Sequence, residues 1–366
     1  MARENCELRP NNKWQKLTSA TPNRFFSVSA NQSNLPLRTL GKNGPTVAAI
    51  GLGCMGMSDF YGPADEAESL ATIHAALDAG VNILDTGDFY GMGHNEMLLS
   101  RVLKTRRKEA FVCVKFGAVR TPAGEFIGLD MRPEAVKNSL AYSLKRLGTD
   151  YIDLYQPCRV DPRVPIEETI GAMVEMKNRG YIRFIGLSEA GPETIRKAHA
   201  VHPISALQIE YAIVTRSIED AILPVTRELG ISISAYGVFS RGLLGTATKI
   251  PEIAKGDFRG AYPRFQGENF QRNQRLIESL RAIAARKGCT LAQLAVAWVL
   301  SKGDDIVPLV GARTTKRLEE ALGGASVSLI TADLVELERA VPRDAIAGER
   351  YPVEQMAWLD SERGSR

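Results

Sequence analysis

Between about residue 37 and residue 343 the chain alternates short apolar runs with longer helical patterns. The short runs lie near 47–53, 81–85, 111–115, 152–156, 183–187, 205–208, 231–235 and 306–309. They are rich in Val and Ile, and several are bounded by glycine or turn residues, as strands of a buried parallel sheet should be. Helical patterns follow at 66–79, 95–103, 132–146, 167–179, 192–200, 217–229, 272–286 with 291–301, and 315–322. Pro133 and Pro192 suit first helical turns, and Gly80, Gly148, Gly180 and Gly230 suit helix ends. Eight strand–helix units predict an α/β fold, the (β/α)8 TIM barrel. The stretch 37–48, centred on Gly41-Lys-Asn-Gly44, predicts an N-terminal β-hairpin capping the barrel bottom, and 331–340 predicts an extra C-terminal helix.

A chain of 366 residues could hold two domains, but barrels of this kind use such a length as one. The expected organisation is a barrel over 36–345, a disordered extension over 1–35 and a polar tail over 346–366. The extension is rich in Asn, Ser and Thr and has no apolar period. Arg24, Phe25, Phe26 and Ser27 hint at organelle targeting, and Glu4 and Glu7 count against it. The net charge of +4 is small and dispersed, so no nucleic-acid partner is expected. No apolar run approaches the roughly 18 residues of a membrane span. Cys6, Cys54, Cys113, Cys158 and Cys289 form no Cys-x-x-Cys pair, which fits a reducing, cytoplasmic setting.

Gly51-Leu-Gly53-Cys-Met-Gly56 matches the Gly-x-Gly-x-x-Gly pattern of dinucleotide-binding folds. That fingerprint requires a helix to open at once, so that its N-terminus meets the pyrophosphate. Here Met57-Ser-Asp-Phe-Tyr-Gly-Pro63 intervenes, so the segment reads as a glycine-rich first barrel strand.

Barrel chemistry sits at the carboxyl ends of the strands. Those ends carry Asp85-Thr-Gly-Asp-Phe-Tyr90, Lys115-Phe-Gly117, Gln156-Pro-Cys158-Arg-Val-Asp161, Ser188-Glu189, Gln208-Ile-Glu210-Tyr211, Tyr236 through Arg241, and Gly311-Ala-Arg313-Thr-Thr-Lys316-Arg317. An Asp and a Lys at neighbouring mouths predict an ion pair. A phenol beside that ammonium should have its pKa lowered, which makes Tyr90 a candidate general acid for a carbonyl oxygen. Singly, each of these residues is more ordinarily structural; together on consecutive strand ends they point to catalysis. The long connection 237–270, with five aromatic residues among Arg241, Arg259 and Arg264, is expected to be functional.

These segments resemble the aldo-keto reductase superfamily, especially its pyridoxal-reductase-like and auxin-induced-protein-like branch. The resemblance runs from about Leu37 to Arg343 and includes Asp-Thr-Gly-Asp-Phe-Tyr-Gly, Lys-Phe-Gly, Ile-Asp-Leu-Tyr, Ile-Gly-Leu-Ser-Glu, Gln-Ile-Glu-Tyr, Arg-Gly-Leu-Leu and Arg-Phe-Gln-Gly-Glu-Asn-Phe. It implies an NADP(H)-dependent oxidoreductase that reduces a small-molecule aldehyde or ketone. Tyr90 would give the proton, Lys115 would tune it, and Asp85 would hold Lys115. Ser188 and Gln208 would grip the nicotinamide carboxamide and Tyr236 would stack on its ring. Gly53, Met55 and Glu189 would line the cofactor, and Gly237, Val238, Phe239 and Arg241 would cover the pyrophosphate. Beyond Gly311, Arg313, Lys316 and Arg317 would meet the adenosine 2′-phosphate at a helix start, with Glu320 against the adenine; Ala321 stands where the family often has Asn.

One position departs. The family pattern Tyr-x-x-His-Arg-x-Asp reads Tyr155-Gln-Pro-Cys158-Arg-Val-Asp161 here, so Cys158 replaces the usual catalytic His. None of His74, His94, His199 or His202 matches that His by motif, and only His94 lies near the mouth. A thiol is a weak donor beside imidazole, and Cys158 is read as a small group that fits the pocket. The alternatives are a regulatory NADP-binding subunit, a conjugated double-bond reductase, and a Schiff-base aldolase using Lys115. The pocket walls are expected from 116–131, 237–270 and the tail near Trp358, and their aromatic content suits a bulky or ring-bearing carbonyl.

Overall fold

The computed structural model describes residues 35–245 and 257–363. The expected extension, apart from Leu35, lies outside the described residues, and so do the targeting hint, Cys6 and 246–256 of the long connection.

Eight parallel strands close into a barrel in chain order: β3 (Gly51–Gly53), β4 (Ile83–Gly87), β5 (Phe111–Phe116), β8 (Ile152–Pro157), β9 (Ile182–Ser188), β10 (Ala206–Glu210), β11 (Ser232–Tyr236) and β12 (Ile306–Gly311). Before it, β1 (Leu37–Thr39) pairs antiparallel with β2 (Thr46–Ala48). The apolar run expected as one strand over 47–53 is therefore two. Its first part serves the hairpin, only Gly51–Gly53 joins the barrel, and Ala49 and Ile50 turn the corner between them. A second hairpin, β6 (Ala118–Arg120) with β7 (Phe126–Leu129), rises from the β5 mouth, in a segment expected to be loop.

The helices begin and end where local chemistry allows. Helix α1 (Glu66–Asp78) starts on Asp65, whose carboxylate accepts from the Glu68 amide at 2.7 Å. Helix α3 (Pro133–Leu147) opens on a proline and stops at Gly148 in the left-handed conformation. The other outer helices are α2 (His94–Arg106), α4 (Ile166–Asn178), α5 (Pro192–Val201), α6 (Ile222–Leu229), α7 (Gly267–Arg286), α8 (Leu291–Leu300) and α9 (Thr315–Leu322). Helix α8 is held at its start by a reciprocal Thr290–Gln293 capping box and is buried almost all round, Trp298 included. The predicted extra helix is α10 (Thr331–Ala340), and α11 (Val353–Met356) is a single turn within the tail.

Strand side chains alternate between faces, and the inward column decides what the barrel holds. At the lower level Ile83, Phe111, Cys113, Leu154, Ala206, Val307 and Leu309 form one apolar cluster with Leu40 and Val47 of the hairpin. The hairpin is tied to the strand starts: the Gly41 amide donates to Ser232 Oγ at 2.7 Å and the Ala48 amide to Asn82 Oδ1 at 2.9 Å. Leu40 and Val47 thus close the floor. A Cβ on Gly51 would lie 2.6 Å from Leu309 Cδ2, so glycine there leaves room for the floor to pack. One or two steps up the same faces the column turns polar, with Asp85, Lys115, Gln156, Ser188, Gln208 and Tyr236.

The chain after α10 returns to this upper end. Asn273 exchanges hydrogen bonds with Ala347 at 2.7 and 2.9 Å, the Gly191 amide donates to Asp360 Oδ2 at 2.8 Å, and the Ser361 amide donates to the Glu189 carbonyl at 3.0 Å. Among the described residues, no single helix is long and apolar enough to cross a membrane.

Candidate active site

The Asp85–Lys115 pair forms as expected. Lys115 Nζ donates to both Asp85 oxygens, at 2.7 and 2.8 Å, and the two residues are only 3% and 5% exposed. β4 and β5 are neighbours in the barrel, which places both side chains on the inward column. Gln208 Nε2 donates to Asp85 Oδ2 at 2.7 Å. The lysine nitrogen lies 5.1 Å from the centre of the Tyr90 ring. That ring is buried and wedged edge-on between Phe60 and Phe89.

Lys115 does not lower the Tyr90 pKa on balance. The phenol is held well above its ordinary range, first by burial and then by the nearby Asp85 carboxylate. The expectation from sequence counted the ammonium and left out the carboxylate that neutralises it. A phenol so placed stays protonated, the form that can donate. Cys158 is buried, and desolvation pushes its thiol up to about 12, so it is neutral too. His94 stays outside: its ring meets Ser58 Oγ at 2.8 Å and Glu66 at 3.1 Å on the barrel flank.

Of the residues expected around a cofactor, Gly53 stands level with Asp85 and Gly311 beside Gly53. Met55 opens the short turn after β3. Ser188 ends β9, and its hydroxyl is buried with no hydrogen-bond partner among the described residues. Gly237, Val238, Phe239 and Arg241 form the turn above β11. Arg313 and Arg317 are exposed beside the start of α9, with Glu320 further along the helix. Arg313 donates to the Tyr61 and Pro63 carbonyls, and the first amide of α9, Thr315, already donates to Glu68 at 3.0 Å.

Sequence reasoning missed a charged lattice above the mouth. Glu189 receives Arg350 at 2.6 and 2.9 Å, Ser361 Oγ at 2.6 Å and Tyr236 Oη at 2.6 Å; that phenol also meets Tyr351 Oη at 2.7 Å. Glu210 receives Arg241 at 2.9 Å and Arg264 at 3.4 Å. Burial alone would raise the Glu189 pKa, but Arg350 and Arg159 hold it well below the ordinary carboxylate range. Glu189 and Arg241 both carry positive φ, at 51° and 57°, strain that these bonds hold in place. Nothing local to Arg350-Tyr351 says where such a pair will land. From the tail, Arg350 reaches Glu189 and Tyr351 reaches Tyr236.

The geometry therefore offers a neutral phenol over a neutralised buried ion pair, an unpartnered hydroxyl, and a cationic rim at one end of a closed barrel. Comparison with known proteins bears on the family and the fold. The pattern of the aldo/keto reductase family matches residues 49–341. A probable aldo-keto reductase 1 from Glycine max is 40% identical over 314 residues, covering 85% of this chain and 90% of its own. A glycerol dehydrogenase from Gluconobacter oxydans superposes with a TM-score of 0.75 at 29% identity, over 84% of this chain and 96% of its own. An aldo-keto reductase from Bacillus halodurans in its holo form gives 0.71 at 28%, over 86% and 99%. With most of the chain matched in sequence and in fold, the protein belongs to the aldo/keto reductase family of oxidoreductases.

Proposed function

We propose that the protein is an NADPH-dependent carbonyl reductase in which Tyr90 Oη gives the proton to the oxygen of an aldehyde or ketone. The observation that carries this reading is the buried Asp85–Lys115 pair beside a protonated Tyr90 at the barrel mouth. Proton donation leaves a phenolate, and the Lys115 ammonium is the nearby charge that favours it. Asp85, fixed by Gln208, holds that ammonium in place. A thiol at Cys158 adds no strong donor, so Tyr90 and Lys115 carry the acid step.

The residues fit a nicotinamide dinucleotide. The unpartnered Ser188 hydroxyl suits the carboxamide, Tyr236 offers a ring, and the turn Gly237–Arg241 offers amides and a cation to the phosphates. Gly53, Met55, Glu189 and Gly311 are assigned to the same cofactor. Arg313, Lys316 and Arg317 offer three exposed cations to a 2′-phosphate, with Glu68 present at the same helix start, and Glu320 is assigned to the adenine. When bound, the reduced nicotinamide supplies the hydride.

The test follows NADPH consumption with simple aldehydes. Tyr90→Phe is expected to lose about 100- to 10,000-fold in kcat/KM while NADPH binding, read by protein fluorescence, stays nearly intact. Normal reduction by Tyr90→Phe would make Tyr90 a packing residue and remove the mechanism.

A further inference from the structure

Among the described residues, four cations around the Tyr90 site are held by carboxylates and Arg159 is not. Lys115 pairs with Asp85 at 2.7 Å, Arg241 and Arg264 with Glu210 at 2.9 and 3.4 Å, and Arg350 with Glu189 at 2.6 Å. Arg159 follows Cys158 at the end of β8 and is half-buried. Its Nη1 donates to the Cys158 carbonyl at 2.6 Å, and its Cζ lies 5.8 Å from the centre of the Tyr351 ring. Among the described residues no carboxylate lies within 4.0 Å of it.

A guanidinium presents five N–H donors in a rigid fork, and this one uses a single nitrogen on a backbone oxygen. Burial draws its pKa down, but the surrounding Tyr351, Tyr236 and Glu189 more than reverse that, so the charge persists. Its field reaches Tyr90, Cys158, Tyr236 and Glu189. It therefore acts on both the proton donor and the ring assigned to the nicotinamide. The thiol next to it is neutral and so is not itself an anion that would occupy the guanidinium. A charge withdrawn from water without a partner is costly, and a planar fork is best satisfied by a planar, two-oxygen anion.

We propose that Arg159 anchors an acidic substituent of the substrate, so that the preferred carbonyl compound is an aldehyde or ketone bearing a carboxylate. This deepens the carbonyl-reductase reading and rests on it for the reacting group. The sequence departs from the family pattern one residue earlier, and a small neutral group there leaves the neighbouring fork free to select substrates by charge.

The experiment compares matched aldehyde acids and their methyl esters, one short pair (succinic semialdehyde) and one aromatic pair (4-formylbenzoate), with NADPH. The unmutated protein is expected to prefer the acid of at least one pair tenfold or more in kcat/KM. That ratio should fall at least tenfold in Arg159→Gln and partly return in Arg159→Lys. The absence of a preference in both pairs, or a preference that survives Arg159→Gln, overturns the proposal. Calorimetric titration with benzoate reads the anion site without turnover: binding should weaken at least tenfold in Arg159→Gln, and equal binding counts against the anchor. If neither acids nor esters consume NADPH while benzoate binding depends on Arg159, the carbonyl-reductase reading falls and the anion site stands. If NADPH is consumed with no dependence on Arg159, only the anchor falls.

Discussion

At position 158 an imidazole and a thiol would do different things to the same oxygen. The imidazole donates a strong hydrogen bond; the thiol, with its pKa pushed up to about 12, stays neutral and donates weakly. Cys158→Ala is therefore expected to keep substantial activity. Cys158→His should raise turnover on simple aldehydes about ten- to a hundredfold, the equivalent of about 1–3 kcal/mol in the barrier. Loss of activity in Cys158→Ala would show that the thiol takes part in the chemistry. Tyr90 gives a second test. Its raised pKa keeps the donor form present through neutral pH, so reduction should not lose its acid between about pH 6 and 9, near the reference phenol pKa of about 10. Oxidation of an alcohol needs the phenolate and should rise steadily over the same range. A fall in the reduction rate with an apparent pKa near 7, assigned to Tyr90 by its loss in Tyr90→Phe, would contradict the field described for the site. Asp85, Lys115 and Gln208 were legible because strand register and alternation fix which side chains share the inward column, and Tyr90 because it follows the β4 end by a few residues. The direction of the Tyr90 shift was not, because burial and the nearby carboxylate are properties of three dimensions.

Elements were legible where their signals were local. Helix α9 was read at its observed bounds, 315–322, whereas the 47–53 run hid a strand break that no glycine or proline marks in time. The β6–β7 hairpin was passed over because a short exposed pair carries little apolar pattern. The start of α9 bears on cofactor choice. Removing Arg313 or Arg317 should weaken NADPH by about 1.5–3 kcal/mol and leave NADH nearly unchanged, as titration of both by fluorescence would show. Equal affinities in the unmutated protein would remove the 2′-phosphate assignment. The start of α2 bears on stability. Asp88, after β4, is pushed up to about 8 by burial and by Glu96 of α2, and Arg146 of α3, which donates to Glu96 at 2.5 Å, only partly offsets this. A raised carboxylate pKa stabilises the fold fully below the unfolded value of about 3.9, and that stability is lost as pH rises toward 8. Asp88→Asn should therefore flatten the fall in Tm between pH 5 and 8. An unchanged slope would place the titration elsewhere.

For the molecule as a whole, the return of the tail joins its last residues to the upper end of the barrel. Arg350 is 4% exposed and gives two bonds to the equally buried Glu189. Arg350→Ala removes the charged partner of that carboxylate, leaving it the Ser361 and Tyr236 hydroxyls and the field of Arg159, and should cost about 3–5 kcal/mol in urea unfolding. A loss below about 1 kcal/mol would mean that the tail is released in solution at little cost. The barrel itself followed from the eight-fold alternation. The docking of the tail did not, because a contact between residues 189 and 350 leaves no periodic trace in either segment. The two ends of the described chain also lie at opposite ends of the barrel, the hairpin on the floor and Ser361 beside Glu189. For anyone fixing this protein to an electrode or a bead, the two attachments are not equivalent. A tether at Leu35 turns the opening toward the solution, and one at Arg363 presses it against the support.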